Sequence, residues 1–320
     1  MLDTSQFQTT DPITDYTLRV TNDKPGFIAD DIFVPQPVPK RNFKKYQYDL
    51  SNMRERPVKR DSKAVADEVD YGVFTVAGLA ELRKLRGQVD PADEEDFDAP
   101  VSDITQDVSL TVMEALAIGK EREAITKLAA ANFASGLTTT LGGSAAWSLQ
   151  GSDPVSDVNS GRIQVRSLGG VEPDSIAFSW TTLQYLKVNP SIIDRIKYTT
   201  AKGVIDIDAL KTLFGVQNIH ICGALSTTAL ENNATQTLSD MWGNFAVLYK
   251  KGVPGRRTVC FANNFIKKQI YGRTYNEDQR GADQPIKWLE HGWWYTLEVG
   301  LVDTAASGKF NAGYRIAGVY

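Results

Sequence analysis

The sequence predicts an α+β fold for a chain of 320 residues. Residues 102–134 contain no proline and carry apolar residues at helical spacing. Residues 173–223 alternate between short strand patterns and short helix patterns. Residues 293–302 and 310–319 are rich in residues that favour strands. These three observations indicate one long helix, an α/β unit and a strand-rich end.

The first part of the chain predicts an extended arm rather than a packed unit. Residues 1–33 are polar and show no sustained period, which is typical of a disordered tail or of an arm that orders only against a neighbour. The alternating prolines of residues 35–39 hold the chain extended, because proline fixes φ and restricts the residue before it. The aromatic residues of 43–48 then indicate a strand.

Residues 52–71 contain almost no large apolar side chain, so they cannot bury a core of their own. The pattern predicts a solvent-exposed hairpin or long loop, basic in its first half and acidic in its second. The charged residues are Arg54, Arg56, Lys59, Arg60 and Lys63, then Asp67, Glu68 and Asp70. Apolar residues resume over 73–85, and a second acidic run covers 90–98. That run lacks the spaced ligands and central glycine of a calcium loop, so a solvated loop is expected.

The helix over residues 102–134 has an apolar stripe along most of its length. Its members are Ile104, Val108, Val112, Leu116, Ile118, Ile125 and Leu128. Ser102 or Asp103 can cap its start, and Gly136 can end it. At 1.5 Å per residue the helix would be about 48 Å long. Such a length suits a rod lying across a flat, extended subunit.

The α/β unit begins with a strand pattern in which Ile176, Phe178 and Trp180 alternate, as in a strand with one buried face. Helical spacing follows. Asp206 can then cap a short helix that Gly215 ends, because glycine adopts the left-handed conformation at a helix C-terminus without strain. A second half-buried strand closes the unit.

Several further elements complete the prediction. Trp147 should anchor a loop over residues 136–153, and a helix should cover residues 157–168. Strands are expected at residues 245–249 and 258–261. Gly308 lies between the last two strand patterns and predicts that they form a hairpin.

The composition limits the class of protein. A net charge of −4 and a pI near 5.4 argue against a broad basic face for nucleic acid. No apolar run reaches the roughly 18 residues that a membrane span needs, and the first residues lack the features of a signal peptide, so a cytoplasmic protein without membrane contact is expected. Cys222 and Cys260 lie in apolar contexts, which predicts buried free thiols rather than a disulfide.

The sequence offers little chemistry. His220 and His291 are far apart, no metal-ligand spacing is present, and no phosphate-binding or nucleophile motif occurs. We therefore expect no catalytic residue, no metal and no cofactor, with His220 as a structural residue on a strand.

One enzymatic alternative remains open at this point. Glu290 and Glu298 lie among tryptophans, as paired carboxylates do in carbohydrate-active hydrolases. Packing of aromatic residues in a sheet is the competing interpretation. It is favoured because Trp294 and Glu298 would share one strand face while Trp293 lies on the other.

Two segments carry a resemblance to a known family. NPSIIDRIKY (residues 189–198) followed by LKTLFGV (residues 210–216) closely resembles the tailed-phage major capsid protein family, which has the Hong Kong 97 fold. WSLQGSDPVSDV (residues 147–158) resembles the start of that family's A-domain. The order of polar arm, charged hairpin, long helix, α/β domain and long strands is similar to the family over nearly the whole chain.

The resemblance implies a division of the chain into the family's parts. These are an N-terminal arm (1–45), an E-loop hairpin (46–78), a P-domain with the spine helix (79–150), an A-domain (151–285) and C-terminal strands that return to the P-domain and A-domain (286–320). It also implies that the charged residues of 54–70 contact adjacent subunits. Lys63 is not expected to form a covalent cross-link, because nothing in the sequence identifies a partner asparagine.

The resemblance further implies a non-enzymatic major capsid protein. Such a protein self-assembles as hexamers and pentamers into an icosahedral shell around the double-stranded DNA of a tailed phage, without sequence-specific binding. The expected location is the virion, with assembly in the host cytoplasm. A separate scaffolding protein is expected because the segment ahead of the arm is short, and a portal and a decoration protein are further expected partners. An encapsulin-type nanocompartment shell is the alternative within the same fold.

Overall fold

The computed structural model describes residues 26–48, 73–89, 104–129, 136–197, 205–227, 237–252, 259–277, 286–299 and 312–320, with isolated positions 55, 59, 65, 68, 69 and 133. Within them, the strands form two larger sheets and two short ribbons, and one helix is much longer than the others.

The first sheet has four strands in the order β1-β11-β12-β4. They are β1 (Val34–Pro37), β4 (Glu81–Val89), β11 (Ala262–Glu277) and β12 (Ile286–Val299). β1 runs parallel to β11, and the other neighbours are antiparallel. β12 has 14 residues, which gives a strand of about 46 Å.

The long helix, α2 (Ile104–Ala129), has 26 residues and packs on one face of this sheet. Val112, Leu116, Ile125 and Leu128 of the predicted stripe are buried. A helix reaching residue 134 is wrong, because Phe133 lies in a bend that places its ring 6.0 Å from the Phe261 ring. The helix is about 39 Å long at 1.5 Å per residue. The predicted caps, Ser102 and Asp103, lie outside the described residues.

The second sheet has five strands in the order β5-β13-β10-β6-β7. They are β5 (Thr138–Thr140), β6 (Ser175–Ser179), β7 (Asn218–Cys222), β10 (Phe245–Tyr249) and β13 (Gly313–Ala317). β10 is antiparallel to β13 and β6, while β6 and β7 are parallel. All residues of β6 and β10 are buried, so this sheet forms the centre of a core.

Four helices accompany the second sheet: α3 (Pro154–Gly169), α4 (Trp180–Val188), α5 (Pro190–Ile196) and α6 (Ile207–Phe214). The predicted helix over 157–168 is confirmed and begins three residues earlier, where the Asp153 side chain accepts a hydrogen bond from the Ser156 N–H. Both predicted ends of α6 are confirmed. Asp206 caps its start, and Gly215 has φ of 64°.

Shorter elements connect these layers. The helix α1 (Ala29–Ile32) directly precedes β1. β2 (Asn42–Tyr48) pairs antiparallel with β3 (Val73–Leu79), and β8 (Leu225–Thr227) pairs with β9 (Leu238–Asp240). The predicted strand over 43–48 is therefore confirmed. Gly143–Ala145 forms a turn of 3-10 helix.

The predicted anchor of the loop over 136–153 is also confirmed. Trp147 is fully buried, and its indole N–H donates to the Asp157 carboxylate at 2.8 Å. Its backbone joins two other segments, because its N–H donates to the Val319 carbonyl and its carbonyl accepts from the Asn189 side chain.

Three predicted strand features are wrong. β12 and β13 do not form a hairpin, since β12 pairs with β11 and β4 while β13 lies between β5 and β10; Gly308 itself is outside the described residues. β6 is buried on both faces, and Trp180 instead begins α4 with 54% of its surface exposed. Residues 259–261 precede β11 rather than forming a strand, because the Phe261 ring turns into the core beside Tyr249.

The contact between α3 and the second sheet yields a stability prediction. A Cβ atom at Gly161 would lie 2.7 Å from Tyr314 Cδ1 and 2.9 Å from Leu248 Cδ1. Gly161→Ala should therefore lower the free energy of unfolding by about 1–3 kcal/mol through overpacking. Gly119 of α2 is the matched control, because a Cβ there meets nothing within 4 Å, and Gly119→Ala should raise stability by about 0.5–1 kcal/mol. Urea denaturation measures both; equal effects would contradict the close packing of α3.

Candidate assembly surfaces

The charged hairpin predicted from the sequence has a described stem. β2 and β3 pair in register from Asn42 opposite Leu79 to Tyr48 opposite Val73, so residues 49–72 leave and return at one place. Of the eight charged residues, Lys59 and Glu68 are described, and both are exposed. Arg54, Arg56, Arg60, Lys63, Asp67 and Asp70 lie outside the described residues.

The stem is fixed to the four-stranded sheet by specific contacts. The Phe43 ring lies 4.7 Å from the Phe265 ring, and Lys45 forms an ion pair with Glu298. A Cβ atom at Gly78 would lie 2.4 Å from the Phe43 ring, so the opposite strand needs glycine there. The Arg41 guanidinium lies 5.3 Å from the centre of the Trp294 ring. These contacts determine where the charged segment emerges from the fold.

The two faces of the four-stranded sheet have different surroundings. One face packs against α2: the Ser109 hydroxyl lies 2.9 Å from His291 Nε2, and the Lys287 ammonium donates to the Thr105 hydroxyl at 3.0 Å. The other face, called the outer face below, carries cations and aromatic rings. Its described residues include Lys84, Arg86, Tyr271, Arg273, Tyr275, Trp288 and Glu290.

Glu290 is buried among these cations on the outer face. Its carboxylate accepts from the Lys84 ammonium at 3.0 Å and pairs with the Arg273 guanidinium at 3.0 Å. Burial would raise the pKa of Glu290, but the hydrogen bonds from Lys84 and Arg273 outweigh it, and the pKa lies below its usual value. The carboxylate is therefore ionised at neutral pH and holds both cations in place.

This geometry contradicts the hydrolase alternative. Glu290 and Glu298 are eight residues apart on one strand, so their backbones lie about 26 Å apart at 3.3 Å per residue. Paired carboxylates of glycoside hydrolases lie within about 10 Å of each other. Each carboxylate is instead bound to cations, Glu290 to Lys84 and Arg273, and Glu298 to Lys45.

A buried carboxylate that the sequence analysis missed lies in the middle of α2. Glu121 is 1% exposed and accepts hydrogen bonds from the N–H groups of Ile28, at 3.1 Å, and Ala29, at 2.9 Å. The Cys222 thiol donates to it at 3.7 Å. Burial raises the pKa of Glu121, and the two backbone hydrogen bonds oppose that change. Glu121 lies four residues before Ile125 and therefore on the same helix face as the apolar stripe. This spacing was the signal in the sequence that Glu121 faces the core.

Neighbouring charges on α2 extend this contact. Lys120 is nearly buried, forms an ion pair with Asp30, and lies 4.6 Å from the centre of the Trp293 ring. Glu123 accepts two hydrogen bonds from the Arg83 guanidinium, at 2.9 and 3.2 Å. One turn of α2 thus contacts α1, β12 and β4 at once.

His220 and the two cysteines considered in the sequence lie in buried or half-buried positions. His220 Nδ1 lies 3.5 Å from Asp31, and burial lowers the pKa of His220. Cys222 and Cys260 are free thiols; Cys222 is buried, as predicted, whereas Cys260 is half-buried. Burial raises the pKa of Cys222 to about 12. Across the described ranges, no group of three or more His, Cys, Asp or Glu side chains is placed to hold a metal ion. A search of those same ranges found no helix with the length and apolar character of a membrane span.

Comparison with known proteins identifies the fold of this chain. Over 166 residues the chain is 28% identical to the major capsid protein of Burkholderia phage BcepMu; the match covers 49% of this chain and 52% of that protein, about half the length of each. A phage-related protein from Bordetella bronchiseptica has a similar structure, with TM-score 0.68, 23% identity and 97% coverage of both chains. The capsid structure of cyanophage P-SCSP1u gives TM-score 0.58 and 11% identity, covering 89% of this chain and 86% of that one. The chain has the Hong Kong 97 fold.

Two further findings qualify this similarity. An encapsulin from Synechococcus elongatus gives TM-score 0.52 and 12% identity, covering 92% of this chain and 88% of that one. Both the phage shell and the encapsulin shell therefore share the fold of this chain. No protein-family model matches the sequence.

The buried Glu121 yields a prediction for the pH dependence of stability. Its pKa is higher in the folded chain than its ordinary value near 4.5, so the folded state binds this proton more tightly than the unfolded state. The contribution of Glu121 to the free energy of unfolding is therefore fully present below pH 4.5. It is lost as the pH rises through the pKa of the folded state. The side chain of Glu121→Gln cannot titrate. Its amide has one acceptor oxygen for two N–H donors, so the substitution should lower the free energy of unfolding by about 1–3 kcal/mol.

The measurement is the free energy of unfolding of both proteins in urea at pH 4.5, 5.5 and 7. The advantage of the wild-type protein over Glu121→Gln should shrink as the pH rises. An advantage that grows with pH would mean that the ionised carboxylate is the favoured form in the fold.

Proposed function

We propose that this chain is a major capsid protein, a non-enzymatic subunit that self-assembles into the icosahedral shell of a tailed phage around double-stranded DNA. The observation that carries the proposal is the sequence similarity to a phage major capsid protein, within a fold matched over 97% of the chain. The segments NPSIIDRIKY and LKTLFGV support the same family. They fall largely on α5 and α6.

In this proposal the parts of the chain have the roles of the family's domains. Residues 1–45 act as the N-terminal arm, 46–78 as the E-loop and 79–150 as the P-domain with α2 as its spine. Residues 151–285 act as the A-domain, and 286–320 return to the P-domain and A-domain. The separate pairing of β12 and β13 supports the last role, since each strand joins a different sheet.

The partners follow from the same proposal. Copies of the chain associate as hexamers and pentamers, with a separate scaffolding protein, a portal and a decoration protein as further partners. The DNA is enclosed without sequence-specific binding, and the location is the virion after assembly in the host cytoplasm. Many exposed contacts of about 0–1 kcal/mol each would add to a stable shell through avidity, while single misplaced subunits can still leave.

The encapsulin alternative rests on the shared fold alone, at 12% identity. The sequence relative named a phage major capsid protein favours the phage shell over it. Genes for a portal and terminase beside this gene would agree with the phage shell. A neighbouring cargo enzyme with a docking peptide would instead indicate a nanocompartment.

The direct test is electron microscopy of the purified protein in negative stain, expressed with and without the scaffolding protein encoded beside it. Closed, uniform shells are expected in at least one preparation. A protein that stays monomeric under both conditions, at concentrations where phage subunits assemble, would contradict the proposal.

The charged hairpin has a separate test. Reversal of Arg54, Arg56, Lys59 and Arg60 to glutamate should reduce shell yield at least tenfold, because complementary charges on adjacent subunits would no longer attract. The monomer should keep its circular dichroism spectrum, since these residues lie beyond the β2–β3 stem. The matched control exchanges each arginine for lysine and Lys59 for arginine, which preserves charge and should preserve assembly. Normal shells from the reversed variant would show that the hairpin is not an intersubunit contact.

A further inference from the structure

One end of the outer face has a cluster of accessible cations. Lys84, Arg86 and Arg273 keep 48%, 50% and 58% of their side-chain surfaces exposed. Two carboxylates face them, Glu290 and Glu277, and the latter lies 3.4 Å from the Arg86 guanidinium. Three cations and two carboxylates leave this part of the face with a net positive charge, although the chain as a whole is negative.

Aromatic rings lie beside two of these cations, Arg86 and Arg273. The Arg86 guanidinium lies 3.9 Å from the centre of the Trp288 ring, and that of Arg273 lies 5.2 Å from the centre of the Tyr275 ring. Because cations already cover these rings, the rings are not free to stack with bases, as aromatic residues do in proteins that bind single-stranded nucleic acid. The chemistry fits separate carboxylates of a peptide, which arginine binds through two parallel hydrogen bonds.

The chain itself carries a peptide of this chemistry. Residues 90–98 contain Asp90, Asp93, Glu94, Glu95, Asp96 and Asp98. They follow directly on Val89, the last residue of β4, which pairs with Lys287 at the start of β12. Arg86 and Arg273 lie at this same end of the sheet, opposite Glu290 and near Glu277. The acidic run therefore begins at the end of the sheet that carries the cation cluster.

We propose that the outer face around Arg86 and Arg273 binds the acidic run, residues 90–98, of a second copy of this chain. The inference rests on the proposed function, because an isologous contact in a symmetric shell brings the same patch of two subunits together. When two such patches meet, each copy offers a cation cluster and an acidic run. The contact would fix the register between subunits more than it would supply affinity.

The test is disulfide trapping between two differently tagged chains. Arg273→Cys in one chain is mixed with Glu94→Cys in the other under assembly conditions, and mild oxidation with diamide is followed by non-reducing electrophoresis. A covalent heterodimer should form at least tenfold more than with Ile163→Cys as the control partner for Glu94→Cys. Ile163 is 67% exposed on α3, which accompanies the other sheet. Each variant chain oxidised alone, with its one added cysteine, controls for disulfides formed by the native Cys222 and Cys260.

Other outcomes overturn the inference. An intrachain disulfide in the Arg273→Cys, Glu94→Cys double variant, without a heterodimer on mixing, would mean that the acidic run binds its own subunit. Preferential trapping of Arg273→Cys by Glu68→Cys would mean that the charged hairpin is the occupant. If neither Glu94→Cys nor Glu68→Cys traps Arg273→Cys, and added DNA protects Arg273→Cys from oxidation, the face would be assigned to nucleic acid.

A charge swap gives a second measurement that separates this inference from the proposed function. Arg86→Glu with Arg273→Glu should lower shell yield at least fivefold, and adding Glu94→Lys and Glu95→Lys should restore it. If wild-type shells form and the reversed face assembles equally well, the inference fails while the capsid function stands. If the wild-type chain forms no shells, the proposed function fails first.

Discussion

The interaction on which the rest of the structure depends is the buried carboxylate of Glu121 in the middle of α2. An ionisable group taken out of water destabilises a fold unless it is hydrogen-bonded, and Glu121 receives the N–H groups of Ile28 and Ala29 and the Cys222 thiol. These donors come from α1 and from β7 in the five-stranded sheet. The carboxylate therefore joins the end of the arm, the long helix and the second sheet at one point.

The adjacent residues of α2 extend this junction to the first sheet. Lys120 lies over Trp293 of β12, and Glu123 binds Arg83 of β4. With α2 covering one face of that sheet, the opposite face is left for the hairpin stem at the Glu298 end and for the cation cluster at the Arg86 end. A single rigid junction thus determines where both candidate assembly surfaces lie. This arrangement agrees with a subunit whose exposed features find their partners on other copies.

Much of the fold could be predicted from the sequence where local signals and packing agree. The caps Asp206 and Gly215 and the apolar stripe of α2 are examples, because each depends on residues close in the chain. Strand pairing could not be predicted in the same way. Residues 286–299 and 313–317 pattern alike, but they belong to different sheets. β12 pairs with β4, and β13 pairs with β10 and β5, which are all distant in sequence. Glu121 was missed because its helical spacing from Ile125 shows only which face of α2 it shares, and the Ile28 and Ala29 N–H groups that bind it are distant in the chain.

The central claim is that Glu121 locks the arm segment onto α2, and hydrogen exchange of the Ile28 and Ala29 amides measures this most directly. If the account is correct, both amides exchange in the unassembled wild-type protein only by global unfolding, as slowly as amides of β10. In Glu121→Gln they should exchange much faster, while β10 keeps its protection relative to global stability. Rapid exchange of both amides in the wild-type protein would contradict the account, because the arm would then be free of the helix that is supposed to hold it.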